Sequence, residues 1–201
     1  VPITMPDERG PFGFLGQMQE SGRDQGHTIM ALCCALDVCQ IGFNQGDDLY
    51  AYMDDRIAAG CEYVCALNYA GISGSNLPWY PYEYADCAGP RGASWQMFGP
   101  NEGGKGERRP NWDRIRGYYE GLRGVKLQYA DKAAELLCPD GGGGNYNANS
   151  GGYDHLGFSS LTNYRPLIDK ADAITPLSGD IVYKGVTYKE QTNLGGLKYS
   201  H

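Results

Sequence analysis

Basic residues are scarce in this 201-residue chain: 17 Lys and Arg stand against 24 Asp and Glu, a formal charge of −7. That balance argues against a general nucleic-acid binder, which presents a basic surface. Metal-type cysteine spacing is missing as well. The seven cysteines (Cys33, Cys34, Cys39, Cys61, Cys65, Cys87 and Cys138) contain no Cys-x-x-Cys pair, so a zinc ribbon or dithiol motif is not expected. Their odd number leaves disulfide pairing open. No membrane-length apolar segment and no signal peptide is read, so no membrane span is expected. The chain opens at Val1 and stops at Tyr199-Ser200-His201 inside a strand-like stretch, which suggests a processed or incomplete chain.

What is abundant is glycine and tyrosine, thirty and sixteen residues. Glycine supplies loops and tyrosine supplies flat amphipathic surface, a combination that suits a carbohydrate cleft and equally any loop-rich protein. Five arginines, Arg108, Arg109, Arg114, Arg116 and Arg123, crowd one short segment of this acidic chain. They read either as a holder for a carboxylate or phosphate or as a solvated helix face paired with Glu107, Asp113 and Glu120.

The densest chemistry lies between Glu20 and His27, where Glu20, Ser21, Arg23, Asp24 and His27 fall within eight residues. Ser21 or Asp24 can cap a helix, and Arg23 can pair with Glu20. The run from Thr28 to Phe43 is apolar on nearly every side, interrupted by Asp37 and Gln40, and reads as an inner helix enclosed by others. Asn44-Gln45-Gly46 breaks it. Asp47 and Asp48 mark a second helix start, and Leu49, Tyr52, Met53, Ile57, Cys61 and Val64 give that helix one buried face as far as about Leu67. The expected fold is therefore mainly α: helical hairpins of an incomplete α/α toroid over residues 1–170, although a bundle would begin the same way. Residues 171–201 read as a linker and the start of a small C-terminal β module, because Ile181-Val182-Tyr183 and Val186-Thr187-Tyr188 flank Lys184-Gly185.

Between these parts, Asn68 to Gly106 reads as one long, ordered aromatic loop in which Tyr69, Trp79 and Tyr80 can stack on sugar rings. Pro110 opens a further helix with Trp112, Ile115, Tyr119 and Leu122 on its buried stripe. Arg109, Arg116 and Tyr118 then occupy more polar directions. Gln128 to Leu137 is another helix, and a short one ends near Tyr164. Adjacent Asp154 and His155 cannot face one another on a helix, which leaves His155 a supporting role at most.

Five stretches taken together resemble the alginate lyase superfamily domain of bacterial polysaccharide lyases. They are Gln17 through His27, Phe43-Asn44-Gln45-Gly46-Asp47-Asp48-Leu49-Tyr50, Asp55-Arg56 with Glu62-Tyr63, Arg109-Pro110-Asn111-Trp112, and Gly151 through Gly157. The resemblance spans roughly Gly16 to Arg165. It implies an α/α toroid and β-elimination on a uronic-acid polymer without metal or organic cofactor, with an acidic polysaccharide or oligosaccharide as partner and a periplasmic or secreted setting. The chain is short for such an enzyme. It also departs from the family where a Tyr-x-His-Tyr-like arrangement is replaced by Arg116-Gly117-Tyr118-Tyr119.

Elimination removes the C5 proton beside a carboxylate and protonates the departing O4, so a site must neutralise the uronate and supply a base and an acid. The expected assignment makes His27 the base or charge stabiliser and Tyr118 or Tyr119 the acid and also a candidate base. Arg109, with Arg23 or Arg116, holds the uronate. Glu20, Asp24, Gln25, Asn44, Gln45, Tyr69, Trp79 and Tyr80 complete the expected sugar contacts, although Asn44 and Gln45 also read as caps of the following helix. Two other functions fit the same residues: a non-catalytic glycan-binding protein, and a glycoside hydrolase using Glu20 and Asp24 as paired carboxylates.

Overall fold

The structure is a computed structural model that describes residues 16–85, 94–138, 155, 159–163 and 165, together with the backbone of 181–183, 186–191 and 198–200. It is mainly helical. α1 (Gln25–Asn44) and α2 (Tyr52–Tyr69) are followed by a two-stranded antiparallel hairpin of β1 (Tyr82–Ala85) and β2 (Ser94–Met97). α3 (Trp112–Arg123), α4 (Ala130–Leu137) and the short α5 (Ser159–Asn163) come next. At the C-terminus β3 (Ile181–Tyr183) pairs with β4 (Val186–Gln191), and β4 with β5 (Lys198–Ser200), both antiparallel.

Gln25 at the start of α1 accepts a hydrogen bond from Asn68 near the end of α2, so the two helices form an antiparallel hairpin. Their roles are the reverse of the sequence expectation. α2 is enclosed, with every residue from Ala58 to Asn68 buried, whereas α1 leaves Cys34, Val38 and Ile41 exposed. The reason is side-chain size. Ala58-Ala59-Gly60 lets neighbouring backbone come close, and a Cβ on Gly16 would sit 2.1 Å from the Ala59 carbonyl oxygen. A small-residue helix can be surrounded although its composition is less apolar than that of α1. The core joins Ile29, Leu32, Cys33 and Leu36 of α1 to Cys61, Val64 and Cys65 of α2. Trp112, Ile115, Tyr118 and Tyr119 of α3 and Ala130, Ala134 and Leu137 of α4 complete it.

α1 is long and apolar enough to cross a membrane by length and composition, contrary to the sequence expectation; core helices pass the same test, and its inner face is part of this core. The six described cysteines are free thiols. No group of three or more potential metal ligands occurs among the described residues.

Two further starts differ from expectation. α2 begins at Tyr52, and Met53, Asp54 and Asp55 hold φ values of 51°, 54° and 60° before the regular helix. Left-handed backbone costs about 1–2 kcal/mol per non-glycine residue. The Asp55 carboxylate offsets part of this by accepting from Tyr119 Oη at 3.1 Å and pairing with Arg123. α4 begins at Ala130, where the buried Glu62 of α2 accepts the backbone N–H groups of Gln128, Tyr129 and Ala130 at 2.9, 2.8 and 2.8 Å. A carboxylate at a helix N-terminus satisfies donors that have no partner inside the helix.

Candidate functional site

Residues Gln19–Gly22 form one 3₁₀ turn, and Asp24 then caps α1 by accepting His27 N–H at 2.8 Å. Because His27 is three residues on, the same carboxylate meets its imidazole: Nδ1 lies 2.7 Å from Asp24 Oδ2 and 2.9 Å from Oδ1. With a carboxylate as acceptor, Nδ1 is the nitrogen that donates, which in the neutral ring puts the lone pair on Nε2. The His27 side chain is 40% exposed, so an oriented base stands at the surface.

Arg23 and Tyr84 stand beside it. Arg23 Nη1 contacts Glu20 Oε2 at 3.3 Å and Tyr84 Oη at 3.5 Å, its Nε lies 3.8 Å from Asp24, and Tyr84 donates to Glu20 at 3.1 Å. Burial, followed by the Glu20 charge, raises the Tyr84 phenol above its ordinary range. Burial works against the Arg23 charge, but Tyr84 and Glu20 outweigh it and hold that cation firmly. A cation, a protonated phenol and an imidazole are thus gathered at one end of α1.

Buried amides hold this end in place. Gln25 donates to the carbonyls of Ser21 and Asn101 and accepts from Asn68, and Asn68 also accepts the Gly106 N–H. Gln25 is fully enclosed by these bonds and acts in positioning, not in the sugar contact expected of it. Arg109 likewise is spoken for. It is 2% exposed and precedes α3, and it bonds Glu107 through Nε at 3.2 Å and Nη2 at 3.0 Å. Glu107 comes close to the octet: a Cβ on Gly26 would lie 3.4 Å from both Glu107 Oε2 and Asp24 Oδ1.

The expected acid–base tyrosines are elsewhere. Tyr118 packs against Phe43 with ring centroids 5.6 Å apart and donates to Asp48 at 2.6 Å; Tyr119 donates to the Tyr50 carbonyl at 2.8 Å. Phe43 lies sixteen residues along α1 from His27, which at 1.5 Å per residue is about 24 Å. The structure therefore does not bring His27 together with Tyr118 and Tyr119. Nor do cations activate these phenols. Burial, then Asp48 for Tyr118 and Asp55 for Tyr119, raises both well above the ordinary range, so neither serves as a base at neutral pH.

The remaining expected contacts divide. Arg116 stays on α3 near Asp113 at 3.8 Å and Glu120 at 3.6 Å. Tyr69 is packed edge-on to Trp112 and donates to the Glu107 carbonyl. Trp79 donates to the Met97 carbonyl and anchors β2, while Tyr80 is clamped through its backbone by Gln17 and is 47% exposed. Asn44 accepts from Gln40 and does not cap α2, and Gln45 is exposed with its N–H on the Gly42 and Phe43 carbonyls.

Tyr84 is a site residue that the sequence does not announce, because the stretch around it reads as loop. Tyr82-Glu83-Tyr84 opposite Trp95-Gln96-Met97 is a hairpin, and its period-two alternation was the available signal. His155, expected in a supporting role at most, is buried with Nδ1 3.4 Å from Asp37 of α1, a contact across more than a hundred residues that no local pattern announces. No family model, curated protein or solved structure matches this chain.

Proposed function

We propose that this chain cleaves a uronic-acid-containing, alginate-like polysaccharide by β-elimination, in the manner of the alginate lyase superfamily it resembles, with α1 and α2 as one hairpin of an α/α toroid. β3 to β5 then begin the small C-terminal module, and a polymer-degrading role places the protein in the periplasm or outside the cell. The observation that carries this reading is the Asp24–His27 pair, an imidazole fixed at 2.7 Å by its own helix cap and partly exposed.

In the reaction, His27 Nε2 removes the C5 proton, the electron pair forms the C4–C5 double bond, and the C4–O4 bond breaks. Arg23 faces the uronate carboxylate, which lowers the cost of charge developing beside it. Tyr84, a phenol kept protonated, takes over the acid role expected of Tyr118 or Tyr119 and delivers a proton to O4. No metal or organic cofactor enters these steps.

Glycoside hydrolysis by Glu20 and Asp24 is less well supported, because both Asp24 oxygens contact His27 and Glu20 accepts from Arg23 and Tyr84. A non-catalytic glycan-binding role draws on the distance between His27 and the Tyr118–Tyr119 pair. A panel of uronic polymers followed by ultraviolet absorbance of unsaturated product separates these readings. The wild type should generate product, and His27→Ala should lower the rate by about 10²–10⁴-fold, the usual contribution of a positioned base. Undiminished product from the variant overturns the assignment, and binding without turnover by the wild type replaces the lyase with the binder.

A further inference from the structure

A polar cleft of about 650 Å³ opens between the later turns of α1, the start of α3 and α5. Its floor is Asp37, whose carboxylate accepts from Asn111 Nδ2 at 3.0 Å, pairs with Arg114 and lies 3.4 Å from His155 Nδ1. Asp37 is the one carboxylate among the described lining residues, and Arg114 and Arg165 are both cations. Leaving His155 aside, the described lining carries one net positive charge inside a chain whose total is −7.

Arg165 makes the difference. Asp37 answers Arg114, but Arg165 has neither an ion pair nor a hydrogen bond among the described residues. It is nonetheless firmly seated. Gly117 and Gly121, one turn apart on α3, leave the room its side chain fills: a Cβ would lie 3.3 Å from Arg165 Nη1 at Gly117 and 2.2 Å from Arg165 Cβ at Gly121. Arg114 adds an Nε donor that is buried with no hydrogen-bond partner among the described residues. Unanswered guanidinium donors in a recess mark a missing acceptor.

We infer that this cleft binds a monoanionic, polyhydroxylated ligand, a sugar acid, with its carboxylate on Arg165. The single excess charge matches one carboxylate better than a phosphate dianion. Around the rim, Gln40, Asn44, Thr162 and Asn163 offer amide and hydroxyl groups of both hydrogen-bonding senses, as ring hydroxyls require. The inference goes beyond the elimination proposal and does not depend on it, because its residues lie ten or more positions along α1 from His27 and take no part in proton transfer.

The test is titration calorimetry with sodium glucuronate, with glucose as the neutral counterpart and inorganic phosphate as the alternative anion. Wild type should bind glucuronate and not glucose, and Arg165→Gln should weaken glucuronate binding at least tenfold, as expected for a charged hydrogen bond of about 1.5–3 kcal/mol. Equal glucuronate affinity in Arg165→Gln overturns the inference, as does no binding by the wild type, or phosphate binding as tightly as glucuronate. An independent readout on the wild type guards against a variant that does not fold: the side-chain amide resonances of Gln40, Asn44 and Asn163 should shift during the glucuronate titration. Unmoved resonances overturn the assignment as well.

Discussion

Replacing Glu62 tests whether one buried carboxylate joins α2 to α4. Its two oxygens accept three consecutive backbone N–H groups at 2.8 to 2.9 Å, and the residue is 2% exposed. Glu62→Ala strands these donors next to a small void. Each hydrogen bond to a charged group contributes roughly 1.5–3 kcal/mol, and because the three share one acceptor and do not add, the expected loss is about 3–5 kcal/mol. Against a total stability of about 5–15 kcal/mol, that is a large share. Glu62→Gln behaves differently. Burial raises the Glu62 carboxyl despite the three N–H groups and the more distant Lys132, so its charge is held at a cost. The amide keeps one acceptor oxygen and discards that charge, and its net effect should be within about 1.5 kcal/mol of wild type. Urea unfolding followed by far-ultraviolet circular dichroism measures both midpoints. Equal losses for Ala and Gln, or no loss for Ala, refute the capping argument.

Two other substitutions carry distinct signatures. Burial, then the Glu120 carboxyl, pushes Asp131 up to about 8; with its folded value above its unfolded value, the stability it contributes is fully present below about pH 4 and is lost as pH rises through about 8. Asp131→Asn should flatten the fall in thermal midpoint between pH 5 and 9, scanned in steps of about one unit, and an unchanged slope contradicts this origin. Tyr119→Phe removes a donor to the Tyr50 carbonyl and to Asp55, which should cost about 1–3 kcal/mol in urea while leaving product formation per folded molecule unchanged; a large loss of turnover with intact stability would return Tyr119 to the reacting site.

Sequence periodicity located the helices but not their environment. Counting apolar residues made α1 the inner helix, whereas enclosure follows how closely neighbours approach, and Ala58-Ala59-Gly60 admits them more readily than the larger side chains of α1. Asp24 was legible as a cap; its contact with the His27 imidazole was not read, although cap and imidazole sit three residues apart, within one turn, where local geometry fixes their contact. The Arg23–Glu20 pair was legible because the two residues also sit three apart. Joining His27 to Tyr118 and Tyr119 needed a long-range pairing that no periodicity encodes. The register of α3 against α1 sets it instead: Asn111 bonds the Cys33 carbonyl and Tyr118 packs edge-on to Phe43, so α3 runs alongside the later turns of α1 and carries its tyrosines away from His27.

That register gives α1 two chemically different ends. At about 3.6 residues per turn, steps of seven, eleven and fourteen from His27 return to nearly the same face, and these steps reach Cys34, Val38 and Ile41, all exposed. Ile41 also borders the cleft that holds Arg114 and Arg165. One helix face thus runs from the imidazole to the cationic cleft without a buried interruption at these positions. An extended acidic chain lying along it would place one unit at the base while a second unit meets Arg165, and the effective concentration created by the second contact would favour the first. A detached sugar acid has no such link, so on this reading the cleft serves to retain a polymer and the Asp24–His27 end to cut it.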